Sequence, residues 1–153
     1  MKNINKKFKI CVGICAIILI CIIITQKNYS FPDDFLSSAQ IDSIEIGSKD
    51  GKKVFNSDVI NDEDATLILS TFSSQSYRHN RLSSKEYLDG EEFITVNYSY
   101  RLDEQETSGF FTITESSDNV IMSTETFDAA DIYSPSQMQG KAIFYEIKKL
   151  LPE

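Results

Sequence analysis

The stretch that decides the fold is ITVNYSYRL, residues 94–102. Apolar or aromatic residues fall on every second position, and polar residues occupy the positions between them. Successive side chains of a β-strand point to opposite faces, so this alternation predicts a strand with one buried and one polar face. The face expected to be buried comprises Ile94, Val96, Tyr98, Tyr100 and Leu102.

Further strands are predicted on both sides of this one. Asp50-Gly51 is typical of a two-residue hairpin turn, and the alternating residues around it predict a strand before and a strand after. After residue 102 the same alternation returns twice, with polar turns at 103–108 and 116–119. The predicted additional strands are 41–48, 52–56, 109–115 and 120–127.

Two helices are predicted from their start signals and apolar periodicity. Asn61 is a suitable N-cap, because acidic residues follow it in the first turn and apolar residues then recur at helical spacing. Ser134-Pro135-Ser136-Gln137 matches a capping box with proline at the first helical position, and the apolar face of Ile143, Phe144 and Ile147 follows. Residues 73–90 show no period and are predicted to form a long irregular loop.

This order of elements predicts an α+β domain over residues 41–153. Its antiparallel sheet has about five strands, and the two helices pack on one face of the sheet. The polar faces of the strands then point to solvent or to a partner.

An apolar run of Ile, Leu, Val, Ala, Cys and Gly occupies residues 10–24. Lys2, Lys6, Lys7 and Lys9 precede it, and only Lys27 follows closely, a bias that places the N-terminus in the cytoplasm. Tyr29, Phe31 and Phe35 after the run are then expected at headgroup level. The predicted division is a cytoplasmic basic segment (1–9), a transmembrane signal-anchor (10–25), a tether (26–40) and an extracytoplasmic domain (41–153) at the cell membrane.

Two other fates of this segment stay open. A cleaved signal peptide would release a secreted domain, but small residues of the kind needed for cleavage do not follow the run closely. A lipoprotein would carry its lipid on Cys21, but the bulky Ile20 stands where a small residue is normal. An uncleaved anchor is therefore the preferred interpretation.

The domain after the apolar run is strongly acidic. From Asn28 onward it holds all 23 acidic and 10 of the 15 basic residues, a net charge of −13. Such a surface repels phosphate backbones, so nucleic acid is not an expected partner. It suits either general solubility or a basic partner.

The chain lacks the residues that most familiar catalytic mechanisms need. His79 is the only histidine of the chain, and Cys11, Cys15 and Cys21 all lie in the apolar run. Ser-His-Asp, Cys-His and histidine-zinc sites are therefore not expected. No glycine-rich phosphate loop and no EF-hand pattern occurs in the sequence. We predict a protein that is not an enzyme and that needs no cofactor or metal.

One basic and aromatic island interrupts the acidic domain. It comprises Tyr77, Arg78, His79, Arg81 and Tyr87, all within the predicted loop. Arginine and tyrosine are common at binding hot spots, so these residues are the candidate partner-binding site. The alternative is a solvated loop whose arginines balance nearby acids.

The lysine-rich start, the isoleucine-rich run, the acidic helix start at 61–64, the strand at 94–102 and the C-terminal helix together form a familiar pattern. In this pattern of segments, the chain resembles small membrane-anchored or lipid-linked extracytoplasmic domains of unknown function from low-GC Gram-positive bacteria. The resemblance implies location and fold, and no catalytic residue is carried over.

Three functions follow as hypotheses. The first is a non-catalytic extracytoplasmic binding module that engages a protein or peptide through the 73–90 loop or the polar sheet face. The second is an immunity or self-protection protein that intercepts a cationic secreted peptide. The third is an accessory or sensory subunit whose anchor pairs with another membrane protein.

Overall fold

The computed structural model describes residues 12–14, 28–48, 50–80, 91–123 and 131–152. Its strands are β1 (Asn28–Ser30), β2 (Gln40–Ser48), β3 (Gly51–Asn56), β4 (Ser76–His79), β5 (Phe93–Leu102), β6 (Gln105–Thr114), β7 (Val120–Ser123) and β8 (Asp131–Pro135). Its helices include α1 (Phe35–Ser38), α2 (Asp62–Ser73) and α3 (Gly140–Lys148), with a 3₁₀ turn at Ser57–Val59. The strands form one antiparallel sheet in the order β1-β4-β8-β7-β6-β5-β2-β3.

The predicted strand at 94–102 is confirmed, as is its alternation from residue 94 to residue 100. Ile94, Val96, Tyr98 and Tyr100 are all buried on one face of β5. This strand pairs with β2 on one side and β6 on the other, so it lies inside the sheet. Helices α2 and α3 pack over its apolar face together with the short α1, and the prediction of an α+β domain with an antiparallel sheet is confirmed.

The hairpin between β2 and β3 and the start of α2 are also as expected. Ser48 lies opposite Gly51, whose φ of 144° favours glycine. The Oδ1 atom of Asn61 accepts a hydrogen bond of 2.8 Å from the backbone N–H of Asp64, which caps α2. Buried Ile68, Leu69 and Phe72 then form the apolar face of α2.

The predicted tether is wrong for residues 28–40, which belong to the folded domain. Strand β1 pairs with β4, and Phe31 and Phe35 are buried in the core instead of resting at a membrane surface. The ring of Phe35 packs 5.5 Å from that of Tyr98 and 5.1 Å from that of Tyr100. Tyr29 and Phe31 alternate, but Pro32 interrupts the pattern after three residues, which is too short to predict a strand.

Over the described residues, the sheet has eight strands and not about five. Strand β4 lies inside the predicted 73–90 loop, and β1 lies inside the predicted tether. Strand β6 begins at Gln105, because Asp103 and Glu104 adopt positive φ values of 50° and 66° and complete a tight turn. The predicted turn at 103–108 is therefore too long.

The predicted start of the last helix is wrong. Ser134 and Pro135 belong to β8 and lie opposite Arg78 and Tyr77 of β4. Helix α3 begins at Gly140, where the backbone N–H donates to the carbonyl oxygen of Asp118 at 3.0 Å. Long-range strand pairing thus prevails over a local capping pattern, while the apolar face of Ile143, Phe144 and Ile147 is buried as expected.

The predicted signal-anchor at 10–25 lies, apart from residues 12–14, outside the described residues. Within the described ranges, no helix has the length and apolar character that a membrane crossing requires.

Candidate functional site

The structure separates the predicted partner-binding residues instead of bringing them together. Tyr77 is fully buried, and its hydroxyl donates a hydrogen bond to the carbonyl oxygen of Phe72 near the end of α2. Burial, helped by the nearby Tyr29, raises the pKa of Tyr77 well above its usual range. Its role is therefore structural, because the buried ring cannot contact a partner.

Arg78 and His79 point to opposite faces of β4, since they are consecutive strand residues. Arg78 is exposed, whereas His79 is half-buried with its Nε2 atom 3.4 Å from Oδ2 of Asp131. Arg81 and Tyr87 lie outside the described residues. The described part of the predicted site is thus not one binding surface.

His79 contributes to a small polar cluster with Asp131 and Tyr133. The rings of His79 and Tyr133 lie 5.4 Å apart, and Tyr133 is buried. Burial, and to a lesser degree the negative charge of Asp131, raises the pKa of Tyr133 to about 12. This tyrosine stays protonated near neutral pH, and the cluster closes the seam between β4 and β8.

A better candidate lies where β2 extends beyond its partner β3. The β2–β3 ladder begins at Ser43 opposite Asn56, and the chain then leaves the sheet through the 3₁₀ turn at Ser57–Val59. Gln40 and Ile41 are therefore paired on the β5 side only, and Asp42 lies in the register shift between Ile41 and Ser43. Within the described residues, the 3₁₀ turn and α2 supply no hydrogen bond to this run.

A groove of about 410 Å³ separates this run from α2. Its volume falls at the lower end of the range for ligand sites. Ile41, Ile60 and Leu69 lie buried beneath the groove and leave a small apolar surface, while most of the exposed lining is polar. We call this site the β2–α2 groove; it is lined by Ala39, Gln40, Ile41, Asp42, Ser57, Ile60, Asp62, Ala65, Thr66 and Leu69.

Asp42 is the best-positioned charged residue of the β2–α2 groove. It occupies the irregularity between Ile41 and Ser43, where the β2–β5 register shifts. Its Oδ1 atom accepts a hydrogen bond of 3.0 Å from the hydroxyl of Ser99, which in turn accepts one of 3.2 Å from Nε2 of Gln40. This chain of hydrogen bonds fixes the carboxylate while leaving Asp42 exposed.

The β2–α2 groove is negatively charged. Asp42 and Asp62 line it, and Asp58 and Glu63 are exposed nearby in the chain. Among the described residues, none of these four carboxylates forms an ion pair. The lysines that do pair bind other acids, in the pairs Lys52–Glu45, Lys141–Asp118, Lys148–Glu92 and Lys149–Glu146.

The acidic residues do not converge on a metal site. Over the described ranges, no group of three or more His, Cys, Asp or Glu side chains could hold a metal ion. Asp62 and Glu63 instead lie in the first turn of α2, where negative charge stabilises the helix N-terminus.

Two other depressions are weaker candidates for a binding site. A cavity of about 290 Å³ beside Ser38 and Arg101 is polar and lies next to the β2–α2 groove across Gln40. A groove of about 460 Å³ between α2 and α3 is lined partly by the exposed Leu67 and the half-buried Leu150. The first also includes single-sided backbone at Tyr100 and Arg101, but the Arg101 N–H already donates a hydrogen bond to the hydroxyl of Ser38. The second is lined by no strand residue.

The β2–α2 groove was missed by sequence reasoning, although one signal pointed to it. The predicted strands 41–48 and 52–56 differ in length, so a tight hairpin between them leaves the start of the first strand unpaired. The position of α2 beside that overhang depends on tertiary packing.

No protein-family model, no curated protein and no solved structure matches this chain.

Proposed function

We propose that this chain is a membrane-anchored binding module. Its domain lies outside the cytoplasm and holds a protein or peptide partner without catalysing a reaction. The support for the anchor is the apolar run at 10–24, with four lysines before it and Lys27 close behind it.

The fold adds a constraint on how the domain sits at the membrane. Because β1 begins at Asn28, only residues 25–27 connect the apolar run to the sheet. Three residues reach at most about 10 Å when fully extended. The domain therefore stays close to the bilayer and meets partners at the cell surface.

The observation that carries the binding function is the β2–α2 groove. Its single-sided strand backbone offers main-chain hydrogen bonds to a polypeptide, and Ile41, Ile60 and Leu69 add a small apolar surface to its mostly polar lining. Binding modules that add a peptide to a sheet edge use this combination.

The proposal that the domain catalyses no reaction rests on its composition. The chain has one histidine, His79, and that ring is paired with Asp131 in the seam between β4 and β8. No cysteine follows Cys21. The described groove residues likewise combine no nucleophile with a general base at hydrogen-bonding distance.

Topology is tested with the full chain carrying a C-terminal tag in cells. We expect full-length protein in the membrane fraction, with the tag removed by protease added outside intact cells. A cytoplasmic protein that survives the same treatment is the control for cell integrity. A shortened soluble product, or a tag protected until the cells are lysed, would contradict the proposal.

A further inference from the structure

We infer that the occupant of the β2–α2 groove is a basic peptide, bound in an extended conformation as an added strand beside residues 40–42 of β2. This inference rests on the proposed function and names the chemistry of the partner. The peptide takes the position that β3 vacates when it turns away after Asn56.

The backbone of β2 provides the first contact. In a strand, successive residues direct their N–H and C=O groups to opposite sides. Since Gln40 and Ile41 pair with β5 alone and Asp42 lies in the register shift, part of this run presents its main-chain groups to the groove. An extended peptide satisfies them with ladder hydrogen bonds and continues the line of β3.

The floor of the groove selects the side chains that point inward. Ile41, Ile60 and Leu69 lie beneath the groove at 5%, 7% and 4% exposure, so the apolar surface that they offer is small. A bound strand places every second side chain toward this floor and the remainder toward solvent. The preferred sequence therefore alternates, with small or medium apolar residues facing inward.

The charge of the groove selects the outward side chains. Asp42 is held by Ser99 on the β2 side, and Asp62 lies on the α2 side. Neither carboxylate has a basic partner among the described residues. Lys53 on the adjoining strand forms no ion pair with them, because its Nζ lies over the ring of Phe55. Lys53 is opposite Ile46, about 10 Å along β2 from Ser43. Lysine or arginine side chains of the peptide supply the missing positive charge.

A second copy of the chain is a poorer occupant. Two copies that meet through this surface bring two sets of exposed carboxylates together, and like charges at short range oppose association. A short basic peptide has no such conflict, and the unpaired run is itself short.

The inference is tested with the full chain in non-ionic detergent and a short fluorescent peptide of alternating lysine and valine. Fluorescence anisotropy measures binding at low salt. We expect saturable binding that weakens about tenfold in the double variant Asp42→Asn/Asp62→Asn, since each partly exposed ion pair contributes modestly. The matched control Asp33→Asn/Asp34→Asn removes the same charge from exposed positions outside the groove and should bind normally.

A steric pair of variants locates the binding site. Thr66 lines the groove, whereas the next residue, Leu67, is exposed outside it. Thr66→Phe should therefore block the peptide and Leu67→Phe should not. Equal binding by the two variants would overturn the inference, as would equal binding of a glutamate–valine peptide. A dimer in size-exclusion chromatography with light scattering that Thr66→Phe dissociates would also overturn it, in favour of a second copy.

Failure of this inference and failure of the proposed function give different results. If the chain is anchored and faces outward but does not bind the lysine–valine peptide, the basic-peptide inference is overturned and the proposal of a binding module still stands. A soluble or inward-facing chain overturns the proposed location whether or not the peptide binds.

Discussion

The hydroxyl of Ser99 donates a hydrogen bond to the carboxylate of Asp42, with 3.0 Å between the two oxygens. Ser99 is buried in β5, which has a neighbouring strand on each side. Asp42 is exposed at the irregular start of β2. One contact thus connects the strand that decides the fold with the groove that we assign to partner binding.

Replacing Ser99 by alanine should affect both stability and binding. The variant loses a hydrogen bond to a charged group, so we expect the free energy of unfolding to fall by about 1–2 kcal/mol. Freed from Ser99, the Asp42 carboxylate becomes mobile, and affinity for the lysine–valine peptide should fall a few-fold. Ser108→Ala is the matched control, because Ser108 lies directly opposite Ser99 on β6 and is exposed. Urea unfolding and anisotropy measure the two effects, and identical results for both variants would contradict the assignment.

Replacing Phe35 by alanine tests whether residues 28–40 belong to the domain. Phe35 is 1% exposed, whereas its neighbour Leu36 is 46% exposed. We expect Phe35→Ala to lower the free energy of unfolding by about 3–5 kcal/mol, the usual cost of deleting a buried phenyl ring. Leu36→Ala should change it by less than about 1 kcal/mol. Similar small changes in both variants would mean that this segment does not pack as described.

Two buried tyrosines should respond differently to loss of the hydroxyl. The Tyr77 hydroxyl binds the carbonyl oxygen of Phe72, whereas the Tyr98 hydroxyl finds no hydrogen-bond partner among the described residues. We expect Tyr77→Phe to cost about 1 kcal/mol of unfolding free energy. Tyr98→Phe should be neutral or stabilising, since it removes a buried polar atom without breaking a bond. A larger loss in Tyr98→Phe than in Tyr77→Phe would contradict this arrangement.

Alkaline pH should destabilise the domain through Tyr133. Its pKa rises from 10.0 to about 12 in the folded state, because burial and the charge of Asp131 disfavour the phenolate. The unfolded chain then releases this proton first as pH increases. The stability that Tyr133 contributes is complete below about pH 10 and is lost as pH rises toward about 12. Urea unfolding across this window should show a shallower decline in Tyr133→Phe, and an unchanged decline would contradict the prediction.

Local sequence signals predicted the elements in which side-chain period and turn chemistry agree with the final packing. The alternation from Ile94 to Tyr100 and the cap at Asn61 are examples, because both act within a few residues. Strand β4 escaped prediction because it has a single buried apolar residue, Tyr77, and is defined by pairing with distant β1 and β8. The capping-box pattern at 134–137 gave a wrong helix start for the same reason, because Ser134 and Pro135 belong to β8 and pair with β4.

The site was harder to predict than the fold. The residues of the predicted basic island are close together in sequence, but a strand directs Tyr77 and Arg78 to opposite faces. The β2–α2 groove instead joins residues from β2, the 3₁₀ turn and α2, whose meeting depends on the packed core. Only the unequal lengths of the first two predicted strands indicated an unpaired edge.

Hydrogen exchange of the backbone amides in residues 40–42 tests the central claim most directly. The full chain in non-ionic detergent is compared with and without the lysine–valine peptide at saturating concentration. If the peptide adds as a strand, exchange in this run should slow by about tenfold or more, while exchange in the exposed turn at Asp103 and Glu104 should not change. Peptide binding without protection of residues 40–42 would contradict the account.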